Sequence, residues 1–423
     1  MEFKGFWRMV RSVAILLSIV LGLSSQKLTA ATKAFSDTKL ERAEIVELCI
    51  VRPPAIPSEH LSACDSLLAI TELSNDARAF ANMGRAEALR RLGQLQASID
   101  AASEAINLKR DFPQAFLVRA GAFMALEDWQ SAISDVSTAI DLDRGNAGAY
   151  AFRAEIYIRR NQLTFALGDL EQAVELSPEV AQFRLTRATV SFSLGQADKA
   201  LTDIREALKQ EPELVGGYLL RTHIYMRQRV YNRAAADAAW ALELAPNSRE
   251  AADAASVAHT EAGQFGEALA AANKFVEIVP GEADALNARC WVKALQPDPK
   301  GALSDCDKAI LADPKHFQAL DSRAFVYWQL GRLQEARVDL AEAEKLDPDF
   351  WDWSKREGRF QVILARRYLK SLRLYSGPID GDFDDLSATQ EAVIEYQRKI
   401  GVFEDGKVSP SLILRLRREV EET

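Results

Sequence analysis

Histidine and cysteine are scarce, four of each in 423 residues. The cysteines are not grouped as CxxC pairs, and no HExxH, Walker loop, nucleophile elbow or strand-to-helix GxGxxG occurs. His60, His223, His259 and His316 stand apart from one another. Catalysis, a metal centre and a resident cofactor are therefore not expected. A cationic excess is also missing, since 52 Lys and Arg face 61 Asp and Glu, for a net charge of −9. Phosphate backbones are held by basic surfaces, so nucleic acid is not an expected partner. What remains is globular material, 48% hydrophobic and 27% charged, over a length that suggests about three units of roughly 150 residues.

Long apolar runs are absent apart from one stretch near the start. Lys4, Arg8 and Arg11 precede residues 13–23, and polar then small residues follow. Eleven residues fall short of a hydrocarbon core of about 30 Å, and the layout is that of a secretory leader over residues 1–30, cut after Ala30 or Ala31. An uncleaved membrane anchor is the alternative. Cleavage removes four cations and one anion, which leaves a more acidic exported chain.

A 34-residue period dominates the rest, with eight windows from residue 79 to residue 350 and no insertion or deletion. The eighth column holds Ala86, Ala120, Ala154, Ala188, Thr222, Ser256, Cys290 and Ala324. The twentieth holds Ser98 and then only Ala, and the twenty-seventh is Ala except at Phe275. From the third window on, Pro fills the thirty-second column (Pro178, Pro212, Pro246, Pro280, Pro314, Pro348). Two helices approach closely only where facing side chains are small, and a Pro stops the second helix. Gly93, Gly195, Gly263 and Gly331 share a column at the turn, where a left-handed backbone is expected. Each window therefore reads as a helical hairpin.

This pattern resembles the tetratricopeptide repeat family. The resemblance implies an all-α solenoid, a right-handed superhelix of hairpins, here preceded by a degenerate hairpin cap over residues 31–78. Arg recurs at position seven in seven windows and Asp at position twenty-three in six of those; in the sixth window both are lost together, as Ala255 and Ala271. Joint loss is what a paired charge predicts, because a half-buried partner left alone is costly. An Arg–Asp ladder within or between hairpins is the expectation, and separately solvated charges are the alternative. Cys290 and Cys306 fall on facing columns of the seventh hairpin, whose turn reads Gln296-Pro297-Asp298-Pro299 and lacks the usual Gly. Cys49 and Cys64 repeat that arrangement in the cap. Export favours two disulfides, with four buried thiols as the alternative.

Beyond residue 350 the period stops. Residues 351–359 read as a linker, and a helix over 355–367 is expected to close the stack with a polar outer face. Leu369, Tyr375, Gly377, Asp380-Gly381, Phe383, Ala392-Val393, Tyr396-Gln397, Gly401, Asp405-Gly406 and Val408 then carry a second pattern. Residues 360–416 resemble the peptidoglycan-binding-like domain, a small three-helix module, with a tail at 417–423. Two places where that family commonly has Gly hold Arg373 and Asp384. Tyr375, Asp380, Phe383 and Gln397 are the candidates for a wall contact. This resemblance implies the periplasm and association with peptidoglycan.

In a stack of hairpins the second, fifth, ninth and twelfth positions of each first helix point into the groove. Those columns supply Leu117, Met124, Ile158, Leu185, Phe192, Leu219, Met226, Trp291, Phe325 and Trp328. An apolar trough on an acidic chain suits a partner helix or extended peptide of another envelope protein. The Lys and Asn columns of chaperone-binding family members are missing, so an acidic chain terminus is not the expected ligand. The reading is a periplasmic, non-enzymatic scaffold that binds a protein through this groove and associates with the wall through its tail module. The alternatives are an accessory subunit of a cell-wall hydrolase and a membrane-anchored assembly factor.

Overall fold

The computed structural model describes residues 44–51, 53, 55–346, 353–377, 379, 387–402 and 404–422, and among them no strand occurs. The leader at 1–30, Pro348, and the candidates Asp380 and Phe383 lie outside the described residues. The chain divides into two compact units, Met1–Pro212 and Glu213–Thr423.

The first unit opens with a π-helical turn, Glu47–Val51, and α1 (Pro57–Leu68). Four hairpins follow: α2 (Asn75–Arg91) with α3 (Leu95–Leu108), α4 (Pro113–Ala125) with α5 (Trp129–Leu142), α6 (Ala147–Arg159) with α7 (Leu163–Leu176), and α8 (Ala181–Ser193) with α9 (Ala197–Gln210). The second unit continues the series with α10 (Val215–Arg227) and α11 (Tyr231–Leu244), α12 (Arg249–Ala262) and α13 (Phe265–Ile278), α14 (Ala283–Ala294) and α15 (Leu303–Ala312), and α16 (Phe317–Gln329) and α17 (Leu333–Leu346). It ends in α18 (Trp353–Ser371), α19 (Ser387–Lys399) and α20 (Pro410–Glu422). The chain is thus an all-helical hairpin solenoid with a helical C-terminal module.

The small columns sit where the helices meet. Every member of the eighth and twentieth columns is buried, and so is every member of the twenty-seventh. Two of the polar exceptions hold bonds across their hairpins: the Ser98 hydroxyl donates to the Ala86 carbonyl at 2.7 Å and the Thr222 hydroxyl to the Ala234 carbonyl at 3.4 Å. Phe275, in an alanine column, is buried with Ala252 and Ala285, whose small side chains leave room for the ring.

Gly93, Gly195, Gly263 and Gly331 adopt the left-handed backbone expected of the turn, with φ of 75, 78, 76 and 74°. Glu127, Asn161 and Arg229 occupy the same column and the same region, at 60, 56 and 61°. A side chain there costs about 1 kcal/mol, which the packed hairpin imposes on the turn. Hairpin seven cannot do this with Pro297 and enters α15 through a 3-10 turn, Pro299–Ala302, with Asp298 accepting from the Lys300 amide at 3.2 Å. Helices α7, α9, α11, α13 and α15 each end two residues before a Pro of the thirty-second column. Hairpins one and two have Arg110 and Arg144 instead, yet α3 and α5 end in the same register. The proline therefore reinforces an end that the following hairpin already sets.

In the cap, Cys49 and Cys64 are joined with Cα atoms 4.9 Å apart, and Cys290 and Cys306 are joined at 5.3 Å. The first bridge explains Gly84 on α2, where a Cβ would fall 2.6 Å from the Cys49 carbonyl oxygen. His60 is buried beneath the same turn, its Nε2 2.9 Å from that oxygen.

The closing helix departs from expectation. It runs unbroken from Trp353 to Ser371, across the expected linker boundary, and between Phe360 and Leu369 only Gln361 is not buried. Over residues 360–369 a polar outer face is not found because this stretch has packing partners on two sides, hairpins of the second unit and α19 with α20.

Candidate functional site

Six bidentate ion pairs fix the first helix of a hairpin against the second. In the first unit they are Arg119–Asp135, Arg153–Asp169 and Arg187–Asp203, with shortest contacts of 2.7, 2.7 and 2.6 Å. In the second they are Arg221–Asp237, Arg289–Asp305 and Arg323–Asp339, at 2.7, 2.6 and 2.7 Å. The guanidiniums also reach back one hairpin: Arg119 and Arg153 donate to the Ser103 and Ser137 hydroxyls at 3.0 Å, and Arg323 pairs with Asp307 at 2.8 Å. The ladder is therefore both within and between hairpins. Arg85, whose window has Ala101 in the aspartate column, pairs instead with Asp65 of α1 at 2.7 Å. The bonds to their aspartates hold Arg153, Arg187 and Arg221 above the usual guanidinium range against the opposing effect of burial. For Asp305 burial pushes upward, but the bonds from Arg289 and Lys293 leave it below the usual carboxylate range.

The inner face of the first unit rests on this frame. Leu117, Ile158 and Leu185 are buried, whereas Met124 and Phe192 are half-buried and present apolar surface. Charged neighbours absent from the sequence reading lie beside them. Arg90 packs where a Cβ on Gly121 would stand, 3.2 Å from its Cδ, and pairs with Glu87 at 2.6 Å. Glu155 is buried and accepts from Arg159 at 3.0 Å; burial pushes its carboxyl up, and Arg159 opposes the shift. These two pairs sit at helix positions nine, twelve and thirteen, where a hydrophobic scan passes over them.

The second unit treats its inner face differently. Leu219 and Met226 are half-buried. Trp291, Phe325 and Trp328 instead form an aromatic cluster closed by Phe360 of α18. The Phe325 ring is fully buried, 5.1 Å from Phe360 and 5.3 Å from Trp291, and Trp328 lies 5.7 Å from Phe360. Two of the ten groove candidates, Phe325 and Trp328, are thus met by Phe360 of the C-terminal module, and of the three aromatic candidates only Phe325 is fully buried. Further along α18, the Arg367 guanidinium lies 5.2 Å from the Phe265 ring. The Lys370 ammonium donates to the Glu261 carbonyl and, at 2.6 Å, to that of Gly377, and stands 4.9 Å from the Tyr231 ring. The Ile379 amide donates to a Glu261 carboxylate oxygen at 2.9 Å, and Arg417 of α20 donates to the Pro297 carbonyl at 2.9 Å.

Two of the four wall-contact candidates can be placed in the module. Gln397 is buried, donating to the Asp405 carboxylate at 2.7 Å and accepting from the Gly406 amide at 3.0 Å, so it braces the second Asp-Gly turn. Tyr375 is buried, and its hydroxyl lies against Gly377 where no Cβ would fit. Arg373 takes a φ of 60° at a position where the family commonly has Gly. Arg366 is fully buried in the module, donating to the Thr389 hydroxyl at 2.8 Å.

Residues 117–181 and 153–214 match one tetratricopeptide repeat family profile, residues 317–350 match another, and residues 360–416 match the putative peptidoglycan binding domain. These segments are tetratricopeptide repeats followed by a peptidoglycan-binding-like domain. Tetratricopeptide repeat protein 36 of Danio rerio is 32% identical over 116 residues, 26% of this chain and 58% of that protein. The chain therefore spans a little over half the length of this curated relative. Among solved structures, a tetratricopeptide repeat protein from Parabacteroides merdae is 19% identical, with a TM-score of 0.45, covering 57% of this chain and 94% of that one. PilF of Pseudomonas aeruginosa is 14% identical, with a TM-score of 0.44, covering 50% and 96%. Among the described residues no helix is long and apolar enough to cross a membrane.

Proposed function

We propose that this protein is an exported, non-enzymatic scaffold of the cell envelope. It holds a partner protein on the inner face of its tetratricopeptide repeats and associates with peptidoglycan through its C-terminal module. The observation that carries this reading is the presence of both elements on one chain: an ordered hairpin stack with half-buried Met124 and Phe192 on its inner face, and residues 360–416 matching the peptidoglycan-binding-like domain. Export is supported by the leader pattern at residues 1–30 and by two cysteine pairs at bridging distance, since disulfides persist outside the reducing cytoplasm. The periplasm is the compartment that meets both conditions. An apolar inner face flanked by Arg90 and Arg159 suits a helix or extended segment that carries apolar anchors and a carboxylate.

Two measurements test this. Full-length protein is sedimented with purified peptidoglycan, and Asp380→Ala/Phe383→Ala is compared with wild type; equal pelleting removes those residues from the wall contact, and no pelleting of wild type removes the wall role. For the partner face, Met124→Asp/Phe192→Asp is compared with wild type in co-purification from envelope extract. Recovery of the same proteins by both removes the groove assignment.

A further inference from the structure

We propose that the turn edge of hairpins five to seven and the inner face of hairpin eight form a helix-binding groove whose resting occupant is α18 of the same chain, so that the C-terminal module acts as a latch on the second unit. The inference goes beyond the proposed function, because it concerns how this face is occupied and does not depend on wall binding.

The geometry of α18 carries the argument. At 100° per residue, Phe360, Arg367 and Lys370 fall within an arc of about 80°. All three contact the repeats, at Phe325 and Trp328, at Phe265, and at Glu261 and Tyr231 respectively. Arg366, about 40° beyond Lys370 and about 120° from Phe360, bonds to Thr389 of α19. The helix therefore meets the repeats along one face, at whose edge Arg366 and Lys370 also bond to Thr389 and Gly377 of the module.

The repeats are shaped to receive that stripe. Gly263 gives no Cβ where the Lys370 stem passes, as an added Cβ would lie 3.0 to 3.4 Å from its Cγ, Cδ and Cε. Hairpin seven has its Pro-containing turn at the place where Arg417 takes the Pro297 carbonyl. The acceptors on the repeat side are a carboxylate and two backbone carbonyls, and the apolar part is an aromatic cleft. Of these, α18 itself meets the Glu261 carbonyl and the aromatic cleft, which with the Phe265 and Tyr231 rings suit a helix with an aromatic residue, an arginine seven positions on and a lysine ten positions on. An external helix bearing the same stripe competes with α18 for one site, which couples its binding to release of the module.

The test uses the full chain. Amide hydrogen exchange is measured on wild type, Glu261→Ala and Lys370→Glu, and a labelled peptide of residues 353–372 is titrated into each. Glu261→Ala alters only the repeat side, which guards against a variant that simply unfolds the module. The expected result is exchange at Ile379 and in residues 257–265 faster by about tenfold or more in both variants, the loss of one charge-assisted bond, while the Gly406 amide keeps its protection. The peptide should bind the variants at least about tenfold more tightly than wild type, and its Phe360→Ala/Lys370→Ala version should not bind. Unchanged exchange in both variants overturns the latch. So does loss of Gly406 protection along with the rest, which would make docking and folding of the module inseparable. A wild-type dimer in light scattering that loses protection at Ile379 on dilution overturns the assignment of the occupant to the same chain.

Discussion

Hairpins two to four and hairpins six to eight follow one 34-residue template, yet they use their inner faces differently. In the first group Met124 and Phe192 remain half-buried, and Glu155 and Arg159 form an ion pair on α6. In the second, Phe325 is fully buried between Trp291 and the chain's own Phe360. The columns that pair the helices are the same in both groups except in hairpin six, which has Ala255 and Ala271 in place of the ion pair and Phe275 in an alanine column, so helix pairing alone does not decide what the inner face binds. The template constrains where a hairpin must be small and leaves its inner columns to specialise.

The comparison can be broken most severely at those inner columns. Phe325→Ala should cost the second unit about 3–5 kcal/mol, because a buried ring leaves a cavity among aromatic neighbours, while Phe192→Ala in the first should cost about 1 kcal/mol. Denaturant unfolding that gives equal losses would contradict the difference in burial. Next, Arg187→Ala should cost about 3 kcal/mol by stranding the nearly buried Asp203, and Arg187→Ala/Asp203→Ala should cost distinctly less. Hairpin six, with Ala255 and Ala271 buried in those columns, is the natural form of that double change.

Glycines sharpen the same contrast between close approach and open space. Gly84→Ala should destabilise by about 1–3 kcal/mol, since the Cys49 carbonyl is backbone and cannot step aside. Gly168→Ala on α7, where a Cβ meets nothing within 4 Å, should stabilise by about 0.5–1 kcal/mol. Glu127→Gly should relieve the positive-φ turn of hairpin two by about 1 kcal/mol, readable as a raised melting temperature. The smallest effect is a pH dependence of the cap. Burial holds the His60 imidazole below its ordinary pKa, with the Cys49 carbonyl bond opposing the shift. The unfolded chain therefore takes up a proton first: the stability contribution is complete above about pH 6.5 and is lost as the pH falls toward the lower folded value. His60→Gln should flatten that slope in unfolding measured from pH 7 to pH 5.

Much of the fold was legible because it recurs. One Arg or one Ala in a column says little, but six Asp matched to Arg sixteen residues earlier carry a pairing rule that the bidentate contacts bear out. The turn column was readable at its glycines and not at Glu127, Asn161 or Arg229, since local propensity there runs against the imposed conformation. The candidate site was only partly legible. Trp291, Phe325 and Trp328 were found as groove residues, but nothing in their spacing revealed that Phe360 lies over them. Gln397 and Tyr375 stood out by matching a family pattern, and the structure gives both a place in the packing of the module. Helix α18 was expected to close the stack with a polar outer face, as a terminal repeat must; Arg366 and Arg367 are instead buried, one bonded to Thr389 and the other against aromatic rings.

By itself the sequence determined the period, the faces on which helices must be small, the partners of the ion-pair ladder and the cysteines that could meet. The small faces and the ion pairs span at most about half of one repeat and are renewed in the next, so periodicity exposes them. Only the tertiary structure decided where the C-terminal module seats on the repeats. That choice rests on single contacts between segments far apart in the chain, such as Lys370 with Glu261 and Arg417 with Pro297, and an interaction made once leaves no repeating mark in the residues that make it.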